Sequence, residues 1–175
     1  MAKLLGISGS LRAGSFNSML VREAARVFDP DEFTFADLRL PLYDGDLEAE
    51  GMPDEVTRLC DQIRAADAVV MSTPEYNKNP SGVIKNALDW ISRIPPMALT
   101  AKPVAVLSAS AGYAGGQRAM AAFYLMLLPF KPNLVIGAEV NVGNASSRFG
   151  DDGRLTDEML IEGLERQMAA LRAAI

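Results

Sequence analysis

The chain of 175 residues contains no histidine. Histidine is the usual general base near neutral pH and the commonest metal ligand, so a Ser-His-Asp hydrolase and a His-rich zinc site are excluded. Cysteine is nearly as scarce. Cys60 stands alone, which rules out an internal disulfide and a CxxC redox pair. Val56, Leu59, Cys60 and Ile63 recur at i, i+3, i+4 and i+7, placing Cys60 on the apolar face of a helix, where a thiol acts as a small hydrophobe. Basic charge is not in excess either: 17 Lys and Arg against 22 Asp and Glu leave a formal charge of −5. That argues against a nucleic-acid surface, which wants clustered Lys and Arg. The longest apolar run, residues 119–128 leading into Pro129 and Phe130, falls short of the roughly 20 residues that cross a bilayer. Strand-like sequence begins at Lys3 and leaves no room for a signal peptide. The expected location is the cytoplasm, with neither nucleic acid nor membrane as a partner.

What is present is ordinary for a globular protein, 49% hydrophobic and 22% charged, and the length suits one domain with its own core. Strand and helix patterns alternate throughout. Residues 3–8 read as a buried first strand, followed by a helix over 16–28 with Phe16, Leu20, Ala24, Val27 and Phe28 on one face. Residues 32–38 alternate as a half-wet second strand. Pro53, Asp54 and Glu55 signal the start of a second helix, which ends near Ala66. The run Ala68-Val69-Val70-Met71 within 67–73 is typical of a central parallel strand. Ser81 is placed to cap a third helix carrying Val83, Ile84, Ala87, Leu88 and Ile91. A fourth strand over 102–109, a helix over 117–128, a fifth strand over 134–142 and a last helix over 157–174 complete the chain. Five βα units without repeat or linker predict a single domain, 1–175: a doubly wound, five-stranded parallel sheet of order 2-1-3-4-5 with helices on both faces.

In such a sheet ligands bind beyond the carboxyl ends of the strands, where the winding reverses, here between strands one and three. The loops at that point, 9–15, 74–80 and 109–116, are also the most unusual in composition. The first looks built for an anion. Gly9 and Gly14 permit a tight turn, the next helix offers free N–H groups, and Ser10, Arg12, Ser15 and Asn17 add donors. It is not a Walker A loop, because Ser15-Phe16 stands where Lys-Ser/Thr is needed. Nor is it the dinucleotide fingerprint, although Asp37 sits about where a ribose-binding acid would. A single phosphomonoester fits best. A plain helix-capping turn would explain Gly14 and Ser15 but not Arg12. For the second loop, local chemistry leaves open whether Pro74-Glu75-Tyr76-Asn77 frames a planar heterocycle or is an ordinary βα turn. The third, glycine-rich apart from Tyr113, carries little by itself.

Gly9-Ser10-Leu11-Arg12 followed by Ser15 and Asn17, then Pro74-Glu75-Tyr76-Asn77 ahead of Lys85-Asn86-Ala87-Leu88-Asp89-Trp90, resembles the NADPH-dependent FMN reductases. That flavodoxin-like group includes bacterial quinone, azo-dye and chromate reductases. The resemblance extends from the first strand to the last helix, through Leu40-Pro41-Leu42-Tyr43-Asp44 and Gly115-Gly116. It implies that Ser10, Arg12, Ser15 and Asn17, with the amide of Phe16, hold the phosphate of FMN. Pro74, Glu75, Tyr76 and Asn77 would frame the isoalloxazine, mainly through backbone groups, and Ala109, Ser110 and Gly112 would approach its pyrimidine side. The chain departs from the pattern in Lys78-Asn79-Pro80-Ser81-Gly82, where many relatives place the proline one position later.

The expected activity is therefore NAD(P)H oxidation on FMN, the flavin N5 carrying the hydride and no side chain acting as chemical catalyst. One small domain without a separate dinucleotide site predicts that donor and acceptor share one place in turn, a ping-pong scheme. Quinones, azo compounds, chromate or free flavin are the small-molecule acceptors implied, with NADPH or NADH as donor and Lys78, Arg118 and Arg148 as candidates for a 2′-phosphate. The fourth helix, apolar nearly all round, together with the family resemblance points to a homodimer or a dimer of dimers. The rival expectation is a flavodoxin-type electron carrier, or a flavin-binding module without turnover.

Overall fold

Every position of Ala68-Val69-Val70-Met71 is apolar because both faces of its strand are covered. In the computed structural model, which describes residues 1–175, β3 (Ala68–Thr73) is buried along its whole length. It lies between β1 (Lys3–Ser8) and β4 (Pro103–Ala109), all parallel, with Leu5 beside Val69 and Val69 beside Val104. β2 (Glu32–Phe35) forms one edge, and the order 2-1-3-4 continues to β5 (Asn133–Leu134), the doubly wound order expected. β2 stops at Phe35 instead of residue 38; Ala36 donates one further bond to the Gly6 carbonyl.

The opposite edge corrects the five-strand count. The strand expected over 134–142 is split into β5 and β6 (Asn141–Val142), both paired with β4. Val104 faces Leu134 while Ser108 faces Asn141, so three extra residues bulge out between the two pieces. The ladder bonds lost there are replaced by one side chain. Gln167 accepts from the Gly137 amide at 3.0 Å and donates to the Val135 carbonyl at 2.7 Å. The approach is so close that a Cβ on Gly137 would lie 2.6 Å from Gln167 Oε1.

Alternation along the strands sends side chains into two cores. On one face Leu4, Val70 and Leu107 meet Leu20 and Ala24 of α1 (Phe16–Phe28) and Leu164 and Met168 of α6 (Glu158–Ala173). On the other, Leu5, Val69 and Val106 meet Ile63 of α3 (Asp54–Ala65), Leu88 of α4 (Gly82–Ile91) and Phe123 of α5 (Gln117–Leu127). Each fully buried aliphatic side chain contributes roughly 1.5–3 kcal/mol before chain entropy is charged against it. α2 (Gly45–Glu50) has no counterpart in the sequence reading. It has six residues and buries none of them, so it carries no periodic apolar signal. α5 ends at Leu127 and tightens into a 3₁₀ turn over Leu128–Phe130, because Pro129 has no N–H to continue an α-helix. No helix is long and apolar enough to cross a membrane.

Candidate active site

Beyond the carboxyl ends of β1, β3 and β4 the three unusual loops enclose a cleft of about 330 Å³. Ser10, Arg12, Ser15, Phe16 and Asn17 line it from the first loop, Pro74, Glu75 and Tyr76 from the second, and Ala109, Ser110, Ala111 and Gly112 from the third. Asn77 alone of the expected residues stays outside. Asn77 and Lys78 form the tip of a tight turn closed by bonds between Tyr76 and Asn79, with φ of 51° and 66°. Positive φ at both central residues is what a type I′ turn requires, and asparagine tolerates it well. This turn defines the path that the shifted proline left open.

The first loop ends where Ser15 caps α1, its Oγ accepting from Ser18 N at 3.2 Å. The amides of Phe16 and Asn17 have no acceptor within the protein, and the first turn of α1 has no acidic residue. Its positive end is therefore uncompensated and opens on the cleft. Arg12 has no carboxylate partner, and its guanidinium lies 5.4 Å from the centroid of Phe16. Phe16 in turn stacks on Phe149 with centroids 5.7 Å apart. This end of the cleft combines free N–H donors, hydroxyls and one unneutralised guanidinium, the donor set a phosphomonoester takes.

Asn17 has a heavier structural role than the sequence suggested. Its Oδ1 accepts from Ser72 Oγ at 2.7 Å and from Ala109 N at 3.0 Å, while Nδ2 donates to the Ala109 carbonyl at 2.9 Å. Three of its four hydrogen-bonding positions thus fasten α1 to β3 and β4, and one N–H remains for a ligand. Ser81 caps α4 through Ile84 N as expected and also donates to the Gly9 carbonyl at 2.5 Å, tying the first loop to the second. A Cβ on Gly9 would meet Ser81 Oγ at 2.9 Å, so only glycine permits this approach.

Glu75 has a role that sequence reading missed. Its Oε2 accepts from the amides of Arg118 and Ala119, each at 3.1 Å. The cap residue of α5, Gly116, offers no side-chain acceptor, so the carboxylate arrives from the second loop instead. A helix opening on Gly-Gly-Gln without Ser, Thr, Asp or Asn was the available signal that an outside acceptor is needed. The third loop is held by Ser110 N donating to Val142 O at 3.0 Å and by Ser108 Oγ bonding to Gly115 O. It presents the amides of Ala111 and Gly112 with no protein acceptor. Tyr76 and Tyr113 are exposed on the second and third loops. Free amide edges beside small residues suit a flat heterocycle, so the arrangement fits FMN at both ends. Of the three cations expected to meet a 2′-phosphate, Arg148 is taken by Asp157, whereas Lys78 and Arg118 stay exposed.

The two remaining family motifs form a latch. Asn86 Nδ2 and Trp90 Nε1 both donate to the Pro41 carbonyl, at 2.9 and 2.8 Å, and Tyr43 N donates to Asn86 Oδ1 at 2.8 Å. Tyr43 OH and the Arg93 guanidinium converge on Glu48 of α2. The Arg93 bond holds the Glu48 carboxyl below the usual carboxylate range, and the bond to Glu48 pushes the Tyr43 phenol up.

The family model for NADPH-dependent FMN reductase matches residues 2–147. An NAD(P)H-dependent FMN reductase of Pseudomonas aeruginosa is 42% identical over 97% of this chain and 93% of its own length. A quinone reductase of Escherichia coli is 36% identical over 96% and 92%. Among solved structures, the flavoenzyme FerB, an NAD(P)H:(acceptor) oxidoreductase from Paracoccus denitrificans, superposes with a TM-score of 0.87 at 32% identity, covering 98% of this chain and 95% of its own. With the phosphate loop, the amide-lined slot and these relatives in agreement, the chain belongs to the NADPH-dependent FMN reductase family.

Proposed function

We propose that the chain is an FMN-dependent NAD(P)H oxidoreductase with quinones as acceptors, and azo compounds, chromate and free flavin as further acceptors of the same open site. The observation that carries this reading is the continuity of one cleft, from the uncompensated N-terminus of α1 to the unpartnered amides of the third loop. When bound, FMN supplies the redox chemistry, taking hydride from NAD(P)H and passing electrons to the acceptor. The residues supply grip and orientation. Ser10, Arg12, Ser15 and the amides of Phe16 and Asn17 hold the phosphate. Pro74 to Tyr76 flank the ring on one side, and Ala109, Ser110 and Gly112 approach its pyrimidine edge. Glu75, whose Oε2 accepts from two amides of α5, ties these walls together. Asn77, at its turn tip, is left without a ring contact.

Residues 1–175 act as one FMN-binding domain, and a lone buried cysteine suits a reducing compartment, the cytoplasm. Donor and acceptor occupy the same mouth in turn, since one cleft joins the loops that would hold the ring. Steady-state rates on FMN-loaded protein, with NADPH and a quinone both varied, are expected to give parallel double-reciprocal lines. Intersecting lines with a ternary complex overturn the shared mouth. Tight FMN binding without turnover favours the electron-carrier reading instead.

A further inference from the structure

Behind the phosphate loop, on the side away from the flavin cleft, lies a second pocket of about 350 Å³. It shares Ser10 and Arg12 with the cleft, so only the loop itself separates the two. Its other polar walls come from Arg22 on α1, Asp37 and Arg39 after β2, and the Ser18 hydroxyl. Three guanidiniums face one carboxylate here, in a chain whose formal charge is −5. Arg22 has no acidic partner, and its guanidinium is held flat over Phe35, 4.4 Å from the centroid. Arg39 bonds to Asp37 at 3.0 Å and reaches the Leu11 carbonyl at 3.4 Å. Both members of that pair are about two-thirds exposed, so the bond is weak and Arg39 can turn to a stronger anion at little cost.

We propose that this pocket receives the 2′-phosphate of NADPH, with Arg22 and Arg39 as its ligands; the proposal rests on the reading that the chain oxidises NAD(P)H. Asp37, just past β2, is the one carboxylate lining the pocket, and Arg39 already neutralises it. A phosphomonoester carries about −1.5 to −2 charges at pH 7 and three acceptor oxygens, which matches two planar guanidinium forks. Because the pocket adjoins the flavin cleft through the shared Ser10 and Arg12, a nucleotide with its nicotinamide over the cleft can extend its adenosine end to Arg22 and Arg39 while Arg12 stays on the FMN phosphate. Arg22 and Arg39 thus replace Lys78, Arg118 and Arg148 as the selectivity residues.

The test is calorimetric titration of FMN-loaded protein with adenosine 2′,5′-bisphosphate and with adenosine 5′-diphosphate. The expected result is at least tenfold tighter binding of the 2′,5′ compound to the parent, parity between the two in Arg22→Gln/Arg39→Gln, and unchanged FMN affinity in that variant. The KM for NADPH rises at least tenfold relative to that for NADH. Equal binding of both adenylates by the parent overturns the proposal. So does a preference that survives the double substitution, or inorganic phosphate binding as tightly as the 2′,5′ compound. If loss of the Phe35 stack unfolds the double variant, Arg39→Gln alone gives the comparison, because its partner is exposed. A protein that holds FMN but oxidises neither nucleotide defeats the underlying reading; one that oxidises both equally defeats only this pocket.

Discussion

Arg12 is the only cation lining the flavin cleft, and no carboxylate neutralises it. Its loss should therefore be felt by the ligand far more than by the fold. A charge-assisted hydrogen bond contributes about 1.5–3 kcal/mol, so Arg12→Ala is expected to weaken FMN binding between about ten- and a hundredfold. The melting temperature of the FMN-free protein should barely move, since the side chain is exposed and touches little beyond Phe16. Fluorescence titration with FMN checks this, and an unchanged affinity reduces the segment to a helix cap. That Ser10, Arg12 and Ser15 line one cleft was legible in the sequence because they stand at close spacing directly in front of a helix. The work of Glu75 and Asn17 was not, for a different physical reason. Their partners lie 43 and 44 positions away for Glu75, and 55 and 92 for Asn17, and only the folded sheet brings them together. The sequence places both residues at the site, Glu75 mainly through its backbone, and their side-chain hydrogen bonds add the work of holding its walls together.

Among the elements, α2 has no fully buried residue and is tied down through Glu48 to Tyr43 and Arg93, which makes its attachment sensitive to pH. In the folded chain the Glu48 carboxyl titrates below its ordinary range because Arg93 donates to it. Between the two values the unfolded chain binds more protons, so this contribution is fully present above the unfolded carboxylate value and lost as the pH falls through the folded one. Tyr43 works in the opposite sense. Its phenol is raised by the bond to Glu48, so its contribution is present below the ordinary phenol value and lost as the pH climbs to the folded one. Protection of the α2 amides, taken relative to their intrinsic exchange rates at each pH, is accordingly expected to hold between these limits and to fall on acidification. Glu48→Gln should exchange faster at neutral pH and show no acid step; an identical acid step in the variant assigns the latch to other groups. The two misreadings of the fold also belong to this scale. α2 buries nothing and so left no pattern, while the broken edge strand reads as continuous because Val135, Ile136, Val140 and Val142 are all strand formers. The break depends on Gln167, a residue on α6 that no local window joins to the strand. The long helices and central strands, by contrast, were legible because burial on one or both faces writes its period directly into the sequence.

For the whole molecule the remaining question is what covers the outer side of α5. Ala119, Met120, Phe123 and Leu127 are buried against the sheet, yet Leu125 and Leu128 are 68% and 58% exposed. From Ala119 to Phe130 there is no charged residue on either side of the helix. Leaving a leucine in water forgoes roughly 1.5–3 kcal/mol relative to burying it. An apolar, uncharged face of this kind is self-complementary, and a twofold axis lets Leu125 and Leu128 of one protomer meet the same face of its partner. α5 also begins at the two amides held by Glu75, so pairing through it would stiffen a wall of the flavin cleft. The expected state is a homodimer, with pairing of dimers as a further step. Light scattering at micromolar concentration should give at least twice the 18.8 kDa of one chain. Leu125→Lys should halve that mass while leaving the far-ultraviolet circular dichroism unchanged, because the side chain points away from the core. FMN affinity should fall along with the mass as the cleft wall loosens. A parent protein that is monomeric under these conditions removes the pairing proposal altogether, and a Leu125→Lys variant that keeps the parent mass moves the interface to another face.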